Sequence, residues 1–284
     1  MAEALEVMIG FVNVVATPHP AGIYAESLKK IASRPVGFRG KDFAVVLPPS
    51  QNKQDKDLWE GTLSVWTDID SSEPSIDKGT FEKKDVEASL ARIFAERGFN
   101  NRAFAYVLDA QTHTIAVELR NDLGKTISPI QVGKIFELLF SGLNREGETF
   151  VVTVVPSEDV LESVLKLDRL DRVKIVLKRP NPGDHDGGDA DEVLRELEEM
   201  NIREADYILV RQPGTDGIHL NAEYEKKARV AATNGYVESS GIDGDGDRQH
   251  PSTKKYPRVV KRTLDAGANF ISAVRDEVRR FRQR

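Results

Sequence analysis

Two aspartates, Asp68 and Asp70, are the candidates for metal-dependent chemistry in this sequence. They end a strand-like run at residues 59–66, and strand positions two apart point to the same side. Carboxylates paired in this way can hold a divalent cation and are candidate catalytic residues of a metal-dependent nuclease or effector enzyme. Aspartate is also a common turn former at strand ends, which explains both residues without a metal. The spacing leaves both interpretations open.

Other acidic groups are weaker candidates. Residues 243–247 alternate Asp and Gly, as a calcium loop does, but that loop needs Gly and Glu where Arg248 and Lys254 stand, so the segment predicts an acidic turn. Asp109 and Glu118 lie on a predicted hairpin that separates them by roughly 13 Å, too far to share one metal ion.

Several classes of chemistry are excluded by what the sequence lacks. The chain has no cysteine, which excludes disulfides, thiolate zinc sites, iron–sulfur clusters and cysteine nucleophiles. The five histidines are scattered, and the phosphate loop, the dinucleotide fingerprint and the Gly-x-Ser-x-Gly elbow are all missing. The sequence therefore predicts no cofactor and no recognisable catalytic constellation, and it leaves open whether the protein is an enzyme.

The charge is unevenly distributed along the chain. The formal net charge is −6, but residues 254–284 contain 10 Lys and Arg against 3 Asp and Glu, so the rest of the chain is strongly acidic. A basic segment of this kind is typical of phosphate-binding surfaces. The candidate nucleic-acid-binding residues are Lys254, Lys255, Arg258, Lys261, Arg262, Arg275, Arg279 and Arg280, with Arg282 and Arg284 beyond them.

The same cations have a structural explanation. Lys and Arg near a helix C-terminus complement the helix dipole. The acidic helix predicted at residues 189–199 is a candidate partner, either in the same chain or in a second subunit.

The central stretch, residues 103–178, indicates the fold class. Residues 104–109 and 114–120 are rich in β-branched and aromatic side chains, and the four residues between them suit a hairpin connection. Ser128-Pro129 begins a helix, and the apolar run at 150–155 predicts an interior strand covered on both faces. The pattern predicts an α+β fold with a mixed, largely antiparallel sheet and packed helices, and ferredoxin-like units are one compatible arrangement.

The best internal boundary is the Gly- and Pro-rich connector at residues 181–188. It separates an α+β core at residues 1–182 from a C-terminal α+β region with a basic terminal helix at residues 189–284, and one continuous domain is the alternative. No apolar run reaches the roughly 20 residues of a membrane span, and the first residues are acidic, unlike a secretory signal. We therefore expect a cytoplasmic protein with no membrane partner.

Five stretches resemble DUF4747, an uncharacterised bacterial and prophage family of unknown function. They are residues 61–70 (Gly-Thr-Leu-Ser-Val-Trp-Thr-Asp-Ile-Asp), 128–139, 154–156 (Val-Val-Pro), 178–182 (Lys-Arg-Pro-Asn-Pro) and 232–237 (Ala-Thr-Asn-Gly-Tyr-Val). Their order spans most of the chain. The resemblance implies a gene carried with mobile elements or antiviral defence, and it implies no catalytic residues.

Three functional hypotheses follow from the sequence. The first is a non-enzymatic cytoplasmic component of a phage-defence or mobile-element system, which binds nucleic acid through the basic C-terminus or binds a protein partner. The second is a metal-dependent nuclease or effector enzyme that uses Asp68 and Asp70. The third is a structural subunit of a homo-oligomer, in which the basic helix pairs with an acidic surface.

Overall fold

The computed structural model describes residues 5–145, 148–157, 160–178, 189–264 and 269–282. Its strands are β1 (Leu5–Thr17), β2 (Val36–Arg39), β3 (Asp42–Val46), β4 (Ser50–Gln51), β5 (Leu58–Thr67), β6 (Ser75–Ile76), β7 (Lys83–Lys84), β8 (Phe99–Asp109), β9 (Thr114–Glu118), β10 (Thr149–Val154), β11 (Arg169–Lys178), β12 (Glu204–Val210), β13 (Gly235–Ile242), β14 (Arg248–Gln249) and β15 (Val259–Leu264). Its helices are α1 (Ile23–Ile31), α2 (Ala88–Glu96), α3 (Pro129–Ser141), α4 (Val160–Leu165), α5 (Asp189–Glu199), α6 (Ala222–Thr233) and α7 (Phe270–Arg282), with a short 3-10 helix at Thr253–Lys255.

The larger sheet has nine strands, in the order β10-β1-β9-β8-β5-β3-β2, with β15 also paired to β1 and β4 to β5. Each of its strand pairs is antiparallel. Asp109 pairs with Thr114 at the end of the predicted hairpin, and His113 adopts a positive φ of 54° in its turn. The α+β class and the largely antiparallel pairing are therefore confirmed.

A ferredoxin-like unit lies at the centre of this sheet. The elements β1, α1, β8, β9, α3 and β10 follow one another in βαββαβ order, and their strands are adjacent as β10-β1-β9-β8. The segment from β2 to α2 is inserted between α1 and β8, and its strands β5, β3 and β2 extend the sheet beyond β8.

Helices cover both faces of the larger sheet. Helix α3 begins as predicted, because Ser128 and Gln131 form a reciprocal capping box and Pro129 occupies the first turn. Helices α1 and α3 pack on one face through residues such as Leu28 and Phe136. Helix α7 packs on the other face, where its Val274 and Val278 join a separate apolar cluster with strand residues of the sheet.

The second sheet has four strands, in the order β12-β11-β13-β14. Helices α5 and α6 cover one face, where Leu197 and Ala228 pack with Ile175 and Val237. Part of the other face is open to solvent, since Val210 is 68% exposed there. This sheet therefore has a buried side and an accessible side.

The two sheets do not follow one another simply along the chain. Strand β11 precedes the predicted connector but belongs to the second sheet, whereas β15 and α7 pack on the first. The connector at residues 181–188 lies outside the described residues, and the division into residues 1–182 and 189–284 stays a prediction. Within the described residues, no helix combines the length and apolar character that crossing a membrane requires.

Strand β10 corrects one expectation from the sequence. Its apolar run predicted an interior strand, but β10 lies at the edge of the larger sheet and pairs with β1. Five of its six residues are only half-buried. Its apolar residues instead line pockets between the two sheets, Val151 in one and Val152 and Val154 in another.

Candidate functional site

A groove runs between the β10 edge of the larger sheet and the second sheet. It consists of three pockets, which we call the end pocket, the middle pocket and the open pocket, with volumes of about 340, 400 and 490 Å³. Thr153 and Lys178 line both the end and the middle pocket. Lys255 lines both the middle and the open pocket. The shared residues place the three pockets next to one another, and we call the three together the groove.

The walls of the middle pocket are largely apolar. Val152 and Val154 of β10 form one side, together with Ile130 of α3, which is 58% exposed. Tyr236, at the start of β13, forms part of the opposite side. A ligand in this pocket would contact aliphatic and aromatic side chains as well as charged ones.

Positive charge dominates the described lining of the groove. Two carboxylates, those of Glu204 and Glu238, oppose a larger set of cations. Because the chain as a whole is acidic, with a net charge of −6, this concentration of cations differs from the rest of the molecule. The cations are Arg172, Lys174, Lys178, Arg203, Lys254 and Lys255.

Three of these cations have no carboxylate partner among the described residues. They are Arg172 and Arg203, which are exposed, and Lys178, which is half-buried. Lys174 is paired with Asp206 at 2.7 Å, and that hydrogen bond raises the pKa of the lysine. The unpaired cations remain available to an anionic ligand.

The other two cations make weaker contacts. The ammonium of Lys254 lies 3.2 Å from the centre of the Tyr236 ring and 3.7 Å from Glu238. Lys255 donates a hydrogen bond to the carbonyl oxygen of His250 at 2.9 Å. Both residues are exposed.

A fixed aromatic cluster supports the end pocket. Nδ1 of His19 lies 3.0 Å from the Tyr24 hydroxyl, which accepts a hydrogen bond from the backbone N–H of Ala16. His113 stacks on Tyr24 and meets the edge of His19, with ring centres 4.1 and 4.7 Å apart. No pattern in the sequence indicates this cluster, because only the pairing of β9 with β1 brings His113 to the other two residues.

The arginines of α7 are engaged inside the protein. Arg282 makes two hydrogen bonds of 2.8 Å to the carboxylate of Asp109, which is fully buried, and it also lies 3.2 Å from Asp55. Arg275 binds both carboxylate oxygens of Glu60, at 2.6 and 3.1 Å. These hydrogen bonds raise the pKa of both guanidinium groups.

The remaining C-terminal candidates are also close to partners. The guanidinium of Arg258, which is 9% exposed, lies 5.0 Å from the ring centre of Phe281 and 5.5 Å from that of Phe11. Arg284 lies outside the described residues. The other pairs are Lys261 with Glu6 at 3.7 Å, Arg262 and Arg280 with Glu277 at 2.8 and 3.2 Å, and Arg279 with Asp276 at 3.7 Å and Asp55 at 4.0 Å.

The acidic helix α5 is not the partner of these cations among the described contacts. Its Glu192 and Glu196 lie beside Lys226 and Lys227 of α6 instead. Of the candidate nucleic-acid-binding residues, Lys254 and Lys255 line the groove, whereas the others surround α7 and β15. Sequence reasoning missed Arg172, Lys174 and Lys178, which are interspersed with apolar residues along β11, and Arg203, which stands alone before β12.

The two aspartates proposed for metal chemistry have separate partners. Asp68 accepts a hydrogen bond from the indole N–H of Trp66 at 2.8 Å. Asp70 accepts one from Lys41 at 2.7 Å and others from Ser72, and the bond from Lys41 contributes most to lowering its pKa. In the described part of the chain, no three His, Asp or Glu side chains are grouped to hold a metal ion.

The Asp- and Gly-rich segment between β13 and β14 forms a turn that its first carboxylate organises. Asp243 accepts hydrogen bonds from the backbone N–H groups of Asp245 and Asp247, at 3.1 and 2.9 Å, and from the side chain of Gln249. These bonds lower the pKa of Asp243. The geometry agrees with the predicted acidic turn.

Comparison with known proteins identifies the family. The model of the family described as "Domain of unknown function (DUF4747)" matches residues 6–279. No curated protein matches the chain. Since the family match covers nearly the whole sequence, the chain belongs to the DUF4747 family, as its resemblance predicted.

Proposed function

We propose that the protein binds single-stranded nucleic acid in the groove between its two sheets. The description of its family gives no activity, so the proposal rests on the structure. The observation that carries this proposal is the set of six cations that line the three pockets of the groove, three of which have no carboxylate partner in the described structure. Unpaired cations distributed over adjoining pockets suit a ligand whose negative charges repeat along a chain.

The composition of the walls favours a single strand over a duplex. Proteins that bind single strands combine a basic groove with apolar or aromatic surfaces on which unpaired bases stack. In the middle pocket of this groove, Val152, Val154 and Tyr236 line the same space as the cations. A duplex hides the faces of its bases inside the stack and would leave these apolar walls without a partner. An acidic peptide has the charge but lacks the flat rings that suit them.

Equilibrium binding to labelled oligonucleotides tests this proposal. Twelve-residue single strands of RNA and DNA, the matching duplexes and a poly-glutamate peptide are titrated over a salt series, with magnesium and with a chelator. We expect single strands to bind more tightly than duplexes or peptide, and the logarithm of the affinity to fall with the logarithm of salt by about 0.7 for each phosphate bound.

Charge-reversed variants identify the surface that binds. Lys178→Glu and Lys255→Glu together change two groove cations, and we expect them to weaken single-strand binding by roughly a hundredfold at low salt. The matched control is Lys53→Glu, an exposed lysine in the loop before β5, outside the described groove lining, where the same change should leave binding nearly unaltered.

Other results of these titrations would each support a different conclusion. Equal loss of binding in the Lys53→Glu variant would indicate a general charge effect and would contradict a groove site. Preference for the peptide would favour a protein partner. Cleavage of the strands that requires magnesium would instead support the nuclease alternative. Self-association that weakens with salt, without ligand binding, would support the oligomer alternative, because its interface pairs a basic helix with an acidic surface.

The cellular setting that fits this activity is also a proposal. A bacterial phage-defence or mobile-element system in the cytoplasm would expose the protein to foreign single strands. The support for this setting is the family resemblance, and the binding experiment does not depend on it.

A further inference from the structure

We infer that the end pocket of the groove is a subsite for one nucleotide and that it selects guanine. This inference rests on the proposed binding of single strands, and it specifies which part of the ligand enters which part of the groove. The volume of the pocket, the position of its cations and the chemistry of its one described carboxylate support it.

The size and lining of the pocket fit a single base with its sugar and phosphate. Its volume of about 340 Å³ lies at the small end of the range for ligand pockets. Val15, Ala16, Val151 and Ile202 line it, and each is buried or half-buried. An apolar lining of this kind suits the flat face of a base that has left the stack.

The aromatic cluster holds another part of the wall in place. His19 lines the pocket, and its contacts with Tyr24 and His113 fix the orientation of its ring. A preorganised ring loses little conformational freedom when a base packs beside it. This rigidity distinguishes the end pocket from the exposed lysines of the open pocket.

Two cations of the end pocket are placed to bind the phosphate of the nucleotide. Lys178 and Arg203 both line the end pocket, and neither has a carboxylate partner among the described residues. Lys178 also lines the middle pocket, so a phosphate bound to it would lie between the two pockets. A strand could therefore place one base in the end pocket while its backbone continues along the groove.

The base preference follows from Glu204. It is the only carboxylate in the described lining of the end pocket, and a carboxylate only accepts hydrogen bonds when ionised. Guanine presents two adjacent donors, N1–H and N2–H, on its Watson–Crick edge, which match the two oxygens of a carboxylate. The other three bases place an acceptor beside their donor, so they leave one oxygen opposed by a like partial charge.

Calorimetric titration with GMP, AMP, CMP and UMP tests the subsite separately from the groove. We expect GMP to bind most tightly, Arg203→Ala to weaken it roughly tenfold, and Glu204→Gln to remove most of the difference between GMP and AMP. Both residues are exposed, so the melting temperature should change little. Lys53→Ala, at an exposed lysine outside the described groove lining, should leave GMP binding unchanged, whereas Lys255→Ala should weaken binding of longer strands.

A second comparison separates a free nucleotide from a nucleotide within a strand. Twelve-residue oligouridine, with and without one central guanosine, is titrated against the same variants. Tighter binding of the guanosine strand, abolished in Glu204→Gln, supports a subsite that reads a strand. Binding of GMP without any binding of strands would retain the subsite and overturn the proposed function.

The inference is overturned by two results. One is strand binding by the groove while no mononucleotide binds at millimolar concentration, in which case the proposed function stands without the subsite. The other is equal affinity for all four mononucleotides, which would remove the role assigned to Glu204. Absence of binding to both mononucleotides and strands would overturn both proposals.

Discussion

The C-terminal helix and the groove both carry clusters of cations, but they use them differently. Around α7 the guanidinium groups of Arg275 and Arg282 are bound to Glu60 and to the buried Asp109. In the groove, Arg172, Lys178 and Arg203 have no such partner in the described structure. The density of positive charge along the sequence therefore does not indicate where accessible positive charge lies on the surface.

The physical reason is the cost of burying a carboxylate. Asp109 follows a run of apolar residues at the end of β8 and is fully removed from solvent when α7 packs on the sheet. A buried ionised group is tolerated only with a partner of opposite charge and good hydrogen-bond geometry. Arg282 supplies that partner, and it is no longer available to a phosphate. The groove cations face no buried carboxylate in the described structure that would occupy them.

The largest effect is expected on the α7 side of this comparison. Arg282→Ala leaves Asp109 buried without its partner, so we expect a loss of about 3–5 kcal/mol in the free energy of unfolding. Urea denaturation at neutral pH measures it. The double change Asp109→Leu with Arg282→Met should recover most of the loss, because it removes both charges together. A loss below about 1 kcal/mol would mean that the pair is not structural.

Glu118 is a buried carboxyl group that differs from Asp109, because no arginine is bound to it in the described structure. It is 4% exposed, one of its oxygens accepts from the N–H of Ala105, and the other has no hydrogen-bond partner in the described structure. Burial raises its pKa from 4.5 to about 7. Because the folded state favours the protonated form, this carboxyl destabilises the fold progressively as pH rises from about 4.5 through 7.

The Glu118→Gln variant tests this pH dependence. It should be similar to the wild type in stability near pH 5 and more stable by roughly 1–3 kcal/mol at pH 8, since the amide carries no charge to be desolvated. Urea denaturation of both proteins across this range gives the difference. A difference that does not change with pH would show that Glu118 does not titrate there.

Arg280→Ala should have a much smaller effect than Arg282→Ala. Arg280 is largely exposed, and its partner Glu277 keeps a second partner, Arg262, at 2.8 Å. We expect a loss of about 0–1 kcal/mol. Thermal unfolding of the two variants side by side checks this contrast. Equal losses would contradict the assignment of stability to the buried pair.

The smallest effect on stability is expected in the groove. Arg172→Gln and Lys178→Gln remove cations that have no described partner, so each should change the free energy of unfolding by less than about 0.5 kcal/mol. Single-strand binding should also depend less on salt in these variants. The slope of the logarithm of the affinity against the logarithm of the salt concentration should become shallower by about 0.7 for each phosphate that the variant no longer binds. A large fall in stability with unchanged binding would reverse the roles of the two regions.

Local patterns in the sequence predicted much of the fold. The hairpin of β8 and β9 and the start of α3 at Ser128-Pro129 follow from short-range signals, namely β-branched alternation and helix capping. The apolar run of β10 was identified as a strand but given the wrong position. Apolarity on both sides of a strand is equally consistent with two covered faces and with one edge that lines a groove.

The sequence by itself determined the α+β class, the family and the basic character of the C-terminus, because each of these is a property of neighbouring residues or of composition. Only the tertiary structure decided which cations remain accessible. The partner of Arg282 is Asp109 and the partner of Arg275 is Glu60, each far away along the chain. The cations of the groove come from β11, the α5–β12 connection and the segment around Thr253–Lys255. Such distant residues meet only when the sheets and helices pack.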